Sequence, residues 1–242
     1  MDYNYIRKKS AKVIIECNVK RFPIDCFSIL KHYGYKIYSY SELYEKNKEL
    51  YDMCLSYSDD AFRSGSMGLI AYNDRKSKTR IRFSLMHELG HHVLKHKNDT
   101  PRNESEANYF ASNILAPRIA IYYAKLKTVN EVANLFDISS SAAYYAAQDS
   151  SIWCKDVCYA GMHDYDKELY SQFHNEEYDG FVYSIKKCEF CGATIYNDDS
   201  RYCVTGCRIP ELPKRIYSHF SPLSEDDRII LARLENDWLY NF

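Results

Sequence analysis

The sequence predicts an α+β fold, and three observations carry that prediction. Apolar residues recur at helical period in several stretches, with proline near helix starts and glycine at a helix end. Only two short segments, 35–39 and 68–73, alternate or run apolar as strands do. Near the C-terminus, Cys188 and Cys191 form one close pair and Cys203 and Cys207 another. So small a unit cannot hold itself by core burial, and a metal ion supplies what is missing.

Taken in order, Tyr3 to about Val19 places Ile6, Ala11, Val13, Ile14 and Cys17 at helical spacing. Phe22-Pro23-Ile24-Asp25 opens a second helix, with Pro23 in its first turn and Gly34 as its stop. Tyr35–Ser39 reads as a short strand, Ser41–Met53 as a helix, and Ser56–Gly68 as a loop with Asp59-Asp60. Gly68–Asn73 is a second strand. The next helix takes in Arg82–His92 and ends near His96 or Lys97. Thr100-Pro101 then gives a cap and a first-turn proline for a helix that stops before Pro117.

The bulk numbers exclude some functions. A chain of 242 residues can bury one good core and carry a small appendage. The formal net charge of −1 gives no electrostatic reason to expect a nucleic-acid partner. No window approaches a membrane span, and the N-terminus lacks the apolar core of a signal peptide. A cytoplasmic location is therefore expected, where nine cysteines read as metal ligands or buried thiols rather than disulfides.

The chemistry centres on His87-Glu88-Leu89-Gly90-His91, an H-E-x-x-H. Residues four apart share a helix face, so the two imidazoles can aim at one ion while Glu88 reaches a water held there. Zinc suits two neutral imidazoles plus a carboxylate, with one position left open. Phe83, Met86, Gly90 and Leu94 lie on the histidine side, and histidines on a buried face need a partner. His92, turned about 100° from His91, is expected to face solvent or support a ligand. His96, in the last turn, is expected to respond to the helix dipole. Both stay outside the expected site.

The third ligand should come from the helix after Thr100, which offers Glu104 and Glu106. Glu106 shares a stripe with Asn103, Ala107, Phe110, Ala111 and Ile114, the face that must pack inward. Glu104 shares a side with Asn108 and Ser112, which reads as the wet side. A carboxylate on an apolar face is costly unless a cation meets it, and zinc is such a cation. The expectation is Glu106.

Phe83–His91, followed by Glu104-Ser-Glu-Ala-Asn-Tyr-Phe-Ala-Ser-Asn-Ile-Leu-Ala-Pro117, closely resembles the ImmA/IrrE metallopeptidase family over about residues 3–148. The resemblance implies a zincin-like fold of helices on a small mixed sheet. It implies zinc on His87, His91 and Glu106, with Glu88 as the catalytic residue. It also implies a protein substrate, a helix-turn-helix repressor of mobile-element or stress genes. The 68–73 strand, if at the sheet edge, would receive that substrate as an added strand. Tyr72, Tyr109, Tyr144 and Tyr145 are all open as helpers for the oxyanion.

Thr128–Ala147 reads as two short helices around a tight turn, with Ala133, Ile138 and Ala143 at helix-turn-helix spacing. Asp137 stands where glycine is usual, and aspartate tolerates the left-handed turn. The second helix, Ser139–Gln148, has no lysine or arginine, so scaffold or protein recognition is expected rather than DNA binding. Residues 149–187 carry little signal; Cys154 and Cys158 read as buried thiols.

Cys188, Cys191, Cys203 and Cys207 fit a structural, closed zinc ribbon, although the second pair is spaced by three residues rather than two. Ser224 starts a last amphipathic helix. The expected organisation is a metallopeptidase domain at 1–126 and a helix-turn-helix-like segment at 127–150. A connecting segment at 151–185 leads to a zinc ribbon with a final helix at 186–242. The rival expectation is a transcription regulator or interaction module whose zincin core is a scaffold or sensor without proteolysis. Intact Glu88 speaks against it.

Overall fold

A computed structural model describes residues 1–98, 100–198 and 200–203. Cys207 and the expected helix from Ser224 lie outside the described residues. The described residues divide into two compact units: 1–186 with 196–198, and 187–195 with 200–203.

In the first unit, α1 (Tyr3–Glu16) starts where Asp2 accepts the Tyr5 N–H, and α2 (Cys26–His32) where Asp25 accepts from Phe27 and Ser28. β1 (Lys36–Ser39) leads into α3 (Tyr40–Lys46) through a Ser39/Glu42 capping box. The single helix expected at 41–53 is two. Asn47 ends α3 and its side chain caps α4 (Lys48–Tyr57) by accepting from Leu50. The segment expected to be a loop holds β2 (Ala61–Ser64), which precedes β3 (Leu69–Tyr72). Then come α5 (Lys78–Val93), α6 (Pro101–Leu115), α7 (Arg118–Tyr123) and α8 (Val129–Phe136). α9 (Ser140–Ala160), α10 (Asp164–Phe173), β4 (His174–Asn175) and β5 (Gly180–Phe181) follow.

The three-stranded sheet is mixed, in the order β1-β3-β2. β1 runs parallel to β3, with Ile37 opposite Ile70, while β2 runs antiparallel to it, with Arg63 opposite Ile70. The 68–73 strand is thus central, with β1 and β2 at the two edges among the described residues. Period-two alternation divides β3 between two cores: Ile70 faces the main cluster, Leu69 and Ala71 a smaller one with Tyr40, Leu43 and Cys54. The fold is the expected α+β class.

The main core lies where α5, α6 and α1 pack, filled by Leu85, Leu89, Phe110, Ile114, Ile6 and Ile14. Two buried arginines tie this frame together. Arg82 of α5 donates to the carbonyls of Ile24, Phe136 and Asp137, satisfying carbonyls at the end of α8 that have no helical partner. Arg118, at the start of α7, donates to Asp149 of α9 and to the Ala116 carbonyl. Asp149 also accepts from Arg7 and Tyr109, so one carboxylate joins α1, α6, α7 and α9. Burial alone would raise the Asp149 pKa. Arg118 and Arg7, with the Tyr109 hydroxyl, outweigh it and hold the carboxyl below its usual range.

α9 continues beyond Gln148, where the apolar pattern of the sequence stops, because that network takes its place. Asp149 and Ser150 occupy positions on its inward face that an apolar pattern would fill. Trp153 is buried one turn on and donates its indole N–H to Asp166 of α10.

Candidate metal centre and cleft

α5 begins at Ser77, whose hydroxyl accepts the Arg80 N–H, and carries His87 and His91 one turn apart. Their Nε2 atoms lie 3.0 Å from each other. α6 begins with the Thr100 cap and Pro101 in its first turn, as its sequence indicates. From that first turn Glu104 reaches back: its Oε2 is 3.3 Å from His87 Nε2 and its Oε1 is 3.3 Å from His91 Nε2. Ligand atoms about 2.0–2.1 Å from a tetrahedral zinc stand roughly 3.3 Å apart. The three side chains therefore offer three corners of such a site within a few tenths of an ångström, and zinc fits the donor set.

The expectation that Glu106 would meet the imidazoles is corrected by this geometry. Glu106 turns the other way, accepting from Arg102 Nε at 2.9 Å and lying 3.4 Å from His96 Nε2. The Arg102 hydrogen bond, helped by His96, holds its carboxyl below the usual range. The wet side of α6 faces the cleft, and Glu104 stands there beside Asn108. The inward stripe was already satisfied by Ala107, Phe110, Ala111 and Ile114.

The approach of the two helices depends on Gly90. A β-carbon there would stand 3.0 Å from Phe110 Cδ1 and 3.2 Å from Ala107 Cα. Glycine in a helix interior costs about 1 kcal/mol relative to alanine, so packing is the reason for it here.

The cleft beside the cluster has a volume of about 690 Å³ and is walled by β2, α5 and α6. Glu88 lines it, and Arg63 of β2 approaches from the other wall, its Nε 3.9 Å from Glu88 Oε2. At the mouth Asp60 accepts from Arg80, which holds its carboxyl low. Of the open tyrosines, none lines this cleft; Tyr57 does. Tyr109 is committed to the Arg7–Asp149 network, and Tyr72 packs edge-on against Phe27.

Two residues beyond the expected set support the imidazoles. His87 Nδ1 is 2.9 Å from Asn108 Oδ1. With Nε2 toward the cluster, Nδ1 is the N–H and donates to the amide oxygen. The second is His96. α5 ends at Val93, earlier than expected, and Lys95 takes a left-handed conformation with φ 59°. Lys95 N–H then donates to the His92 carbonyl and His96 N–H to the His91 carbonyl, a Schellman turn. The turn folds His96 back so that its Nδ1 is 3.2 Å from His91 Nδ1. A histidine five residues past a ligand, at the position such a turn folds back, was the available signal. His92 instead meets the Tyr35 hydroxyl at 2.5 Å, and burial lowers its pKa.

In the second unit, Cys188, Cys191 and Cys203 bring their sulfurs within 4.8 Å of one another. Gly192, at φ 72°, lets the chain turn so that its N–H donates to the Cys188 carbonyl. Cys203 N–H donates to Cys188 Sγ at 3.3 Å, and Cys191 Sγ lies 3.4 Å from Cys203 Sγ. β6 (Ile185–Lys187) and β7 (Thr194–Tyr196) flank this turn in a two-stranded sheet. Cys154 is half-buried and Cys158 exposed, so they are not the two buried thiols expected.

α8 and α9 pack together across Asp137, which holds a left-handed conformation at φ 52° as expected. The exposed residues early in α9 are Ser140, Ser141, Tyr144, Tyr145 and Gln148, with no cation among them.

No described helix is long and apolar enough to cross a membrane. No curated protein matches the chain. Residues 48–148, which carry the histidine helix, strand β2 and Glu104, match the IrrE N-terminal-like domain of peptidase family M78.

Proposed function

We propose that the protein is a zinc-dependent endopeptidase whose ion is held by His87, His91 and Glu104, with Glu88 as general base. The carrying observation is the trio of facing ligand atoms at 3.0 Å and 3.3 Å, with Glu88 on the same helix facing the open cleft. Zinc held there would polarise the scissile carbonyl and acidify the attacking water. Glu88 accepts the proton as the water oxygen bonds to the carbonyl carbon. It later delivers that proton to the amine nitrogen as the C–N bond breaks. Arg63 keeps the Glu88 carboxylate aimed at the cleft from the opposite wall. The three thiolates, with Cys207 as the expected fourth, would hold a second, structural zinc.

The substrate is an extended segment of a protein, a helix-turn-helix repressor. β2 borders the cleft, and β3 is its only strand partner among the described residues, so a peptide can add along its other edge. A folded helix cannot offer its amides there. The cut therefore falls in a linker or a locally unfolded helix of the repressor. The cation-free exposed surface of the first turns of α9, Ser140 to Gln148, is suited to protein recognition rather than DNA.

The test is incubation of the purified protein with a helix-turn-helix repressor encoded in the same gene neighbourhood, with fragments read by mass spectrometry. Glu88→Gln serves as the control. Cleavage by wild type and not by the variant is the expected result. An intact repressor, together with tight binding of operator DNA by this protein, would favour a regulator.

A further inference from the structure

We propose that His96 and Glu106 form a positioning relay behind His91, fixing which of its nitrogens faces the ion and lending it anionic support. The inference rests on the reading that His87, His91 and Glu104 hold zinc. His91 Nε2 faces His87 and Glu104, so its lone pair is there and its proton sits on Nδ1. That N–H points at His96 Nδ1, 3.2 Å away, which must then accept. His96 consequently carries its own proton on Nε2, where Glu106 Oε2 receives it at 3.4 Å. Arg102 donates to the other carboxylate oxygen at 2.9 Å and fixes the far end. Only one direction of donation is consistent along the whole chain.

The backbone builds the relay independently of these side chains. The Schellman turn at Lys95 places His96 under His91, and the same two residues are joined by a main-chain hydrogen bond of 2.9 Å. His96 and Glu106 have little exposed side-chain surface, at 7% and 16%, so water competes weakly for these bonds. The two ligands are thus supported differently. His87 rests on the neutral amide of Asn108, whereas His91 is linked through one imidazole to a carboxylate. An anion behind a histidine ligand raises its basicity and holds its ring in place.

The experiment uses the full chain, with zinc binding followed by competition with a chromophoric chelator. The cleft ion is identified as the one lost in His87→Ala. Glu106→Gln and His96→Gln should each weaken that ion about tenfold. Arg102→Gln, at an exposed side chain that threatens folding little, should shift affinity the same way by less. Long-range ¹⁵N–¹H spectra of the zinc-loaded wild type should show His91 protonated on Nδ1 and His96 on Nε2. A His96 proton on Nδ1, or unchanged affinity in both Glu106→Gln and His96→Gln, would overturn the relay while leaving the zinc site standing. Absence of any His87-dependent zinc in wild type would overturn both.

Discussion

Gly90 of α5 faces Phe110 of α6 so closely that a β-carbon on the glycine would stand 3.0 Å from the ring. The same crossing brings Glu104 within reach of the two histidines. Gly90→Ala should therefore act twice, although alanine is the better helix former. Overpacking should lower stability by about 1–3 kcal/mol, read from urea midpoints. Zinc affinity should fall as well, because Glu104 is carried away from His87 and His91. A variant as stable and as tight as wild type would show that α5 and α6 can separate without consequence.

Ligand and base should separate cleanly. Glu88→Gln keeps side-chain size, so zinc should stay bound while proteolysis falls about 10²–10⁴-fold. Glu104→Ala removes a ligand and should weaken the cleft ion by more than about a hundredfold, beyond the effect of a supporting residue. Zinc titration of the two variants beside wild type checks both. Retention of normal affinity in Glu104→Ala would return the third-ligand role to another carboxylate.

The two metal sites should differ in lability. The cleft offers three protein ligands and an open approach, whereas a thiolate site is closed by cysteines. Mild chelation should remove one zinc and abolish proteolysis before the second ion leaves. Cys188→Ser should lose the second ion while the cleft keeps its own. Elemental analysis after timed dialysis reads both, and simultaneous release would contradict the distinction.

Asp149 should govern acid stability. Asp149→Asn leaves the buried Arg118 guanidinium without its counter-charge and should cost about 3 kcal/mol at neutral pH. Because the folded-state pKa is depressed, the carboxylate's contribution is full above the unfolded value near ~3.9. It is lost as pH falls through the lower folded value. The stability gap between wild type and variant, from urea titrations at pH 7 and near pH ~3, should narrow with acidification. A gap independent of pH would mean that the loss is steric.

The sequence alone determined what depends on local spacing and local chemistry. Two histidines four apart must share a helix face, and Thr100-Pro101 must start a helix; both hold in the structure. The left-handed turn at Asp137 was legible for the same reason, since it depends on one residue's tolerance. The cysteine pairs were legible as a cluster, and the three described sulfurs, of Cys188, Cys191 and Cys203, converge.

Tertiary structure decided which side of α6 is the cleft, and with it that Glu104 rather than Glu106 stands against His87 and His91. Helical periodicity separates two faces but does not say whether the wet one opens to bulk water or to a site. It also decided that β3 is central and β2 lies at an edge, because strand order is set by pairing between distant segments. The inward polar face of α9 follows the same rule. Asp149 reads as a surface residue until Arg7 and Arg118, far away in sequence, arrive to neutralise it. His96 reaches His91 only because Lys95 accepts a left-handed backbone, a choice that local propensity opposes and the folded turn enforces.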